Sequence, residues 1–335
     1  MNLFTKHPRP VLTANSAISW ASGAVFNPGA WYDGETIHLL FRAVPAGYRQ
    51  IRLTDVHEGE STLGFENYVS YIGHATSRDG VNFTIDPEPF IAPDSEADSH
   101  GAEDPRITCL DGRCFVTYSA LQSPAFDPDA RVRIGLASTT DFRSVQKHGV
   151  IGPDQRDKDA VLFPESIGGR VGLLHRIVPD IQLMTFRDVE ELCSPPASAW
   201  EEHLRHLEHH TIMRPEQDWE IRKIGAGPPP IKTSEGWLLI YHGVDQQHVY
   251  RAGLALLDLD DPHRVIARTR RPVLEPELEF ERIGDVDNVV FPEGAVVIDG
   301  TLNVYYGAAD RAIGLATAPM SDVLAALREE AADGR

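Results

Sequence analysis

The chain has 335 residues, 42% of them hydrophobic, which is enough to bury a sizeable core and gives no sign of disorder. Thirty-one basic against fifty acidic residues give 31 − 50 = −19, a field that argues against nucleic acid or an anionic membrane surface as a partner. The N-terminus MNLFTKHPRPVLTAN lacks an apolar signal core, no window approaches about eighteen apolar residues, and the three cysteines are an odd set; these features predict a cytoplasmic chain with no membrane span.

Along the chain one apolar strand type recurs as HLLFRA (38–43), CFVTYSA (114–120), VGLLHRI (171–177), WLLIYHGV (237–244) and LNVYYGAAD (302–310). Each is followed by a glycine- and alanine-rich strand: YIGHATSRDG (71–80), RIGLASTTDF (133–142), DIQLMTFRDV (180–189), RAGLALLDLD (251–260) and AIGLATAPMS (312–321). Turn signals (DG, EG, GG, DP) separate them. Five copies of a strand–turn–strand unit predict an all-β, five-bladed β-propeller, with 1–335 as one domain. A β-sandwich of short strands is the competing reading, but it does not explain why the first strand type ends on a polar or aromatic residue each time.

Helix is scarce. SDVLAALREEAAD predicts a short C-terminal amphipathic helix with apolar Val323, Leu324 and Leu327. SAWEEHL carries a capping-box pattern from Ser198 to Glu201, with a loop as the alternative. HLRHLEHH (203–210) reads as a solvated histidine-rich segment rather than a metal site, and no CxxC pair is present, so no metal is expected. Cys109 and Cys114 flank an LDGR turn and are expected to be small core residues rather than a disulfide.

The polar strand ends supply Arg42, His175, Arg176, His242 and Asp310. Loops add Asn27 in FNPGA, Asp104 in GAEDPRIT, Lys158 and Asp159 in RDKDAVLFPES, and Lys223 in WEIRKIGAGPPP. Adjacent acids on a strand point to opposite faces, so at most one of Glu103 and Asp104 is expected to face a cleft. Glu103 reads as a structural ion-pair residue, with Arg106 as the candidate partner. GAGPPP (225–230) lacks the strand–loop–helix setting and the Lys-Ser/Thr of a P-loop, and no GxSxG elbow occurs.

These strings, FNPGA, LLFR, GAEDPRI, KDAVLFPESIGG, LLHR, KIGAGPPPI, GWLLIYHGV, DNVVFPEG and YYGAAD, occur in the order found in glycoside hydrolase family 130, which the chain resembles from about Asn27 to Ala316. That family comprises inverting β-mannoside phosphorylases and related β-mannosidases on a five-bladed propeller. The resemblance implies that Asp104 is the proton donor, acting through a hydroxyl of the bound mannose while phosphate attacks C1 from the opposite face. It implies Lys158, Arg176, Lys223 and His242 as phosphate-binding residues, and Asn27, Arg42, Asp159 and Asp310 on the mannose side. Inorganic phosphate is then a co-substrate, a β-mannoside disaccharide or oligosaccharide the other partner, and no cofactor is needed. The segment AGYRQIRLTDVHEGESTLGFENYVS, after Arg42, is expected to shape the acceptor-sugar subsite. A hydrolytic β-mannosidase is the alternative within the family, disfavoured by four basic residues at the phosphate positions, and a non-catalytic sugar-binding propeller is the alternative outside enzymes. Linkage, acceptor identity and association into a homo-oligomer are left open.

Overall fold

A computed structural model of the chain describes residues 3–54, 61–124 and 131–333. Five antiparallel sheets follow one another around a ring, each built outward from a first strand: Ala24–Tyr32, Gly101–Leu110, Lys158–Leu162, Lys223–Ala226 and Val290–Ile298. The second strands are Ile37–Val44, Arg113–Leu121, Val171–Arg176, Trp237–Val244 and Thr301–Ala308, and the third are Tyr71–Ser77, Val132–Thr139, Ile181–Phe186, Tyr250–Leu257 and Ala312–Pro319. In blade 5 the outer position is taken by the N-terminus, with Thr5 opposite Thr317 and Leu12 opposite Ile313. Two ends of the chain thus share one sheet, which closes the ring.

The recurrent strands read from the sequence are the second and third of each blade. Asn27, Asp104, Lys158, Asp159 and Lys223 were expected on loops, and this is corrected: they lie on the first strands, which touch their counterparts in neighbouring blades and line the channel. Their sequences lack alternation for two physical reasons. They are buried on both faces, as Gly101–Thr108 shows residue by residue. Four of them are also interrupted by bulges, where the register slips around Asn27, at Asp104–Pro105, at Asp159–Ala160 and at Glu293. Asn27, Asp104 and Asp159 adopt φ of 51°, 54° and 55°, a left-handed conformation that Asn and Asp tolerate best among residues with a side chain. A bulge re-aims the side chain it carries. The same device at the same level in successive blades turns these polar groups into the channel.

Between blades the faces meet in apolar clusters. Leu39, Phe41 and Tyr305 lock blades 1 and 5, and Leu239, Tyr241 and Val161 lock blades 3 and 4. Each such fully buried side chain contributes about 1.5–3 kcal/mol. The C-terminal helix spans Met320–Asp333 and buries Val323 and Leu327 on the core of blades 4 and 5. A second helix runs Ala197–Arg205; its N-cap is Pro196, so Ser198 lies inside it and the capping box is not formed. Cys109 and Cys114 are directly opposed in register and are joined as a disulfide, against expectation. No helix of the described residues is long and apolar enough to cross a membrane.

Candidate active site

Asp104 sits on the innermost strand of blade 2 and is 1% exposed. Its Oδ1 accepts from Asn27 Nδ2 at 2.8 Å and faces Arg42 at 3.3 Å, while Lys158 Nζ lies 3.1 Å from Oδ2. Burial alone would raise its pKa, but Lys158, Arg42 and Arg106, with the Asn27 hydrogen bond, outweigh it and hold the carboxyl well below the usual range. Glu103 does not face away. Its Oε1 lies 2.6 Å from Arg42 and accepts from Ser70 Oγ at 2.9 Å, so both neighbouring acids grip one guanidinium. The bulge at Asp104 breaks the alternation on which the opposite-face expectation rested. The ion pair expected of Glu103 exists, but with Arg42 rather than Arg106.

Arg106 is instead the central tie of the channel. It is 1% exposed, pairs with Glu293 at 2.8 Å and Asp159 at 3.3 Å, and donates to the carbonyl of Asp104 at 2.8 Å. Four blades are pinned by one side chain, since it also reaches the carbonyls of Ala226 and Gly227. Burial pushes Glu293 well above the usual carboxyl range, with Asp104 and Asp159 adding to the effect against Arg106.

Further basic residues line the same cavity. Arg176 NH1 is 2.5 Å from Asp159 Oδ2 and 3.1 Å from His242 Nε2. Among the described residues no carboxylate pairs with Lys223, whose ammonium lies 5.4 Å from the centre of the Tyr250 ring. Burial, then Arg176 and Lys158, pull its pKa well below the ordinary lysine value. His242 differs from expectation in charge: burial, reinforced by Arg176 and Lys223 against Asp159, keeps the imidazole neutral, and it accepts from Arg176 rather than adding a cation. Gly225, read in the sequence as part of a rejected phosphate loop, has another purpose. A Cβ there would lie 2.4 Å from the His242 ring and 2.5 Å from Asp159. Gly307 does the same for Asn27, whose Oδ1 would be 1.8 Å from an added Cβ.

Seven of the nine predicted residues (Asn27, Arg42, Asp104, Lys158, Arg176, Lys223 and Asp310) line a single cavity of about 100 Å³ at the mouth of the channel. Asp159 and His242 stand behind Arg176 and do not line it. Asp310, with φ 54°, is pushed up to about 7 by burial, which Arg42 opposes and Asp104 and Asp285 reinforce. Tyr250, Val286, Val289 and Phe291 complete the wall and were not marked from the sequence. The hairpin Arg49–Thr54/Ser61–Glu66 leans on this rim: Tyr48 contacts Asp285, and Gln50 Nε2 donates to the Asp285 carbonyl at 2.7 Å. Residues 55–60 of the segment assigned to the acceptor subsite lie outside the described residues. A larger hollow, of about 570 Å³, lies on the outer edge of blade 4 against the C-terminal helix, but its buried cation Arg268 is already paired with Glu220 at 2.7 Å.

A carboxyl held between Arg42 and Lys158, in a small polar cavity that Arg176 and Lys223 also line, is suited to transferring a group to an anion. Known proteins carry the same arrangement of chain. The 1,2-β-oligomannan phosphorylase of Thermoanaerobacter sp. (strain X514) is 39% identical over 316 residues, covering 94% of this chain and 96% of that protein. A β-1,2-mannobiose phosphorylase from the same strain is 38% identical over 309 residues, or 92% and 94% of the two chains. The β-1,2-mannobiose phosphorylase of Listeria innocua, solved as a β-1,2-mannobiose complex, superposes with a TM-score of 0.78 at 28% identity over 98% of this chain and 100% of that one. The family model described as "beta-1,4-mannooligosaccharide phosphorylase" matches residues 8–329, and the chain belongs to this family, glycoside hydrolase family 130.

Proposed function

We propose that the protein is an inverting glycoside phosphorylase that cleaves a β-1,2-linked mannobiose or short β-1,2-manno-oligosaccharide with inorganic phosphate, releasing α-mannose 1-phosphate and the acceptor sugar. The observation that carries this reading is the set Lys158, Arg176 and Lys223 lining the same cavity as Asp104, with Lys223 unpaired by any carboxylate among the described residues. A hydrolase would need a carboxylate there to activate water. Here Asp159 is already committed to Arg176 and Arg106.

In the proposed reaction Asp104 delivers its proton to the glycosidic oxygen through a mannose hydroxyl as the C1–O bond breaks. A phosphate oxygen forms the new bond to C1 from the opposite face, and the configuration inverts. Asp104 is ionised when no anion lies beside it, so it must first gain a proton from solvent. Phosphate supplies the reason. An anion about 4 Å away at an effective dielectric of about 20 costs the ionised acid about 4 kcal/mol, or about 3 pKa units. It also competes for Lys158, whose ammonium holds Asp104 Oδ2. Binding of the nucleophile thus moves the acid back toward the ordinary carboxyl range. Asn27, Arg42 and Asp310 orient the mannose, while Asp159 and His242 keep Arg176 in place.

The β-1,2 linkage is supported by the relatives rather than by the cavity: two phosphorylases similar to this chain are named for β-1,2 substrates, whereas the family description names β-1,4. The test is to run the reaction in reverse with α-mannose 1-phosphate and a panel of acceptors. Mannose and β-1,2-mannobiose should be extended with release of phosphate, giving β-1,2 products; β-1,4 products would overturn the linkage, and no transfer at all would overturn phosphorolysis.

A further inference from the structure

Behind Arg176, away from the cavity, lies a chain of buried polar groups that the reaction above does not use. Asp157 and His175 are 0% exposed and His203 is 2% exposed. Asp157 Oδ1 accepts from the backbone N–H of Arg176 at 3.1 Å, and its Oδ2 lies 2.8 Å from His175 Nδ1. His175 Nε2 lies 2.8 Å from His203 Nε2. His203 comes from the helix Ala197–Arg205, which is inserted between the third and fourth strands of blade 3 and has no counterpart joining the corresponding strands of the other blades among the described residues.

With neutral imidazoles the protons in this chain have one consistent arrangement. A backbone N–H can only donate, so Asp157 accepts on Oδ1 and, as a carboxylate, on Oδ2 as well. His175 must then carry its proton on Nδ1, which makes its Nε2 an acceptor. His203 must therefore donate from Nε2, which leaves its Nδ1 as an acceptor. His203 Nδ1 is a buried atom without a hydrogen-bond partner, as that arrangement requires of its far end. Every other member is satisfied in that arrangement.

We infer that Asp157, His175 and His203 form a positioning chain for the phosphate-binding strand pair of blade 3, and that the Ala197–Arg205 helix is built into the blade to complete it. Two geometric facts give the chain leverage. Asp157 immediately precedes Lys158 and Asp159 on one strand and holds the backbone of Arg176 on the next, at the point where Lys158 and Arg176 are paired and the ladder then slips into its bulge. The helix end is fixed independently, because Trp200 Nε1 donates to the Ile151 carbonyl at 2.6 Å and its ring stands edge-on to His175 at 5.2 Å and to His203 at 5.5 Å. Without the His203 donor, His175 Nε2 is a buried acceptor with no partner, the ring that holds Asp157 Oδ2 is less firmly fixed, and the cross-tie of the bulged strand pair is weakened.

The inference rests on the phosphorolysis reading and deepens it, and its experiment separates the two. His203→Phe removes the donor but fills the space, His203→Ala is tolerated by the helix but leaves a void, and His203→Gln returns an N–H near the position of Nε2. Michaelis constants for phosphate and for β-1,2-mannobiose are measured for each beside the wild type, with melting temperatures to confirm folding. His203→Phe and His203→Ala should raise the KM for phosphate about two- to tenfold, the range expected for one lost hydrogen bond. The KM for the mannoside and kcat should stay within about twofold, and His203→Gln should recover most of the loss. If the phosphate KM of both His203→Phe and His203→Ala stays at the wild-type value, or the mannoside KM rises in step with it, the positioning chain is refuted. If His203→Phe fails to fold, His203→Ala decides. A wild type that cleaves the mannoside at full rate without phosphate overturns the functional reading itself.

Discussion

Replacing Asp310 by Asn should make the protein more stable at pH 8 than the wild type while abolishing its use as a mannoside-binding group. Asp310 is a carboxyl whose folded-state pKa is raised from the ordinary 3.8 to about 7, chiefly by burial. The folded state therefore holds a proton that the unfolded state has released between these two values, and stability falls with rising pH across that window. Below about pH 4 both states are protonated and the wild type suffers no penalty. Above about pH 7 the whole penalty applies. A shift of about 3 units corresponds to about 4 kcal/mol, an upper bound because the wild type can admit water around the charge. With an unfolding entropy of about 2 cal/mol/K per residue, that is about 6 °C in melting temperature for a chain of this length. Asparagine keeps the shape and tolerates the φ of 54° at this position, so the exchange adds little backbone strain of its own. The assay is a thermal melt of wild type and Asp310→Asn at intervals from pH 4.5 to 8.5. The two curves should converge at the acid end and separate by several degrees at the alkaline end, with the variant higher. Parallel curves would refute the raised pKa and with it the picture of Asp310 as a buried, site-strained acid.

Asp104→Asn should reduce kcat on an unactivated disaccharide by about 10²–10⁴ with little change in melting temperature, as expected for loss of a general acid; near-normal turnover would move the acid elsewhere. Arg176→Ala removes a charge-assisted contact of about 1.5–3 kcal/mol and leaves Asp159 facing the anion, so the KM for phosphate should rise about ten- to a hundredfold in initial-rate assays. Lys223 loses its proton more readily than an ordinary lysine in the empty site, and an anion restores it, so phosphate binding takes up a proton. The KM for phosphate should accordingly begin to climb at a lower pH than an ordinary lysine would impose, and Lys223→Met should flatten that climb, read from rate-against-phosphate curves at several pH values.

The fold was largely legible in the sequence because ten of the blade strands alternate or run apolar between clear turns, and five repeats of one pair leave few architectures. The channel strands were not legible. FNPGA and GAEDPRIT contain proline, are buried on both faces and carry a left-handed residue, so they read as loops although they pair over their length. Yet the same irregularity marks them: an Asn or Asp directly before Pro within an otherwise ordered run is a local signal for a bulge. Among site residues, those announced by charge in a polar strand end were found, as Arg42 and Arg176 were. Arg106 and Glu293 were passed over, one given a single role beside Glu103 and the other quoted only within DNVVFPEG, because pairing across blades depends on which strands meet in space. His203 was assigned to solvent for the same reason: its partner His175 lies in a strand 28 residues away. The neutral state of His242 likewise depends on burial beside Arg176, which no spacing reveals.

The central claim is that the cavity facing Asp104 receives phosphate rather than water. The direct measurement is turnover of β-1,2-mannobiose followed by ³¹P and ¹H NMR, with and without inorganic phosphate in rigorously phosphate-free buffer. Cleavage should depend on phosphate in a saturable way and should give α-mannose 1-phosphate in equal amount to the mannose released as acceptor. Cleavage at an undiminished rate without phosphate, yielding two free mannoses per disaccharide, would contradict the account.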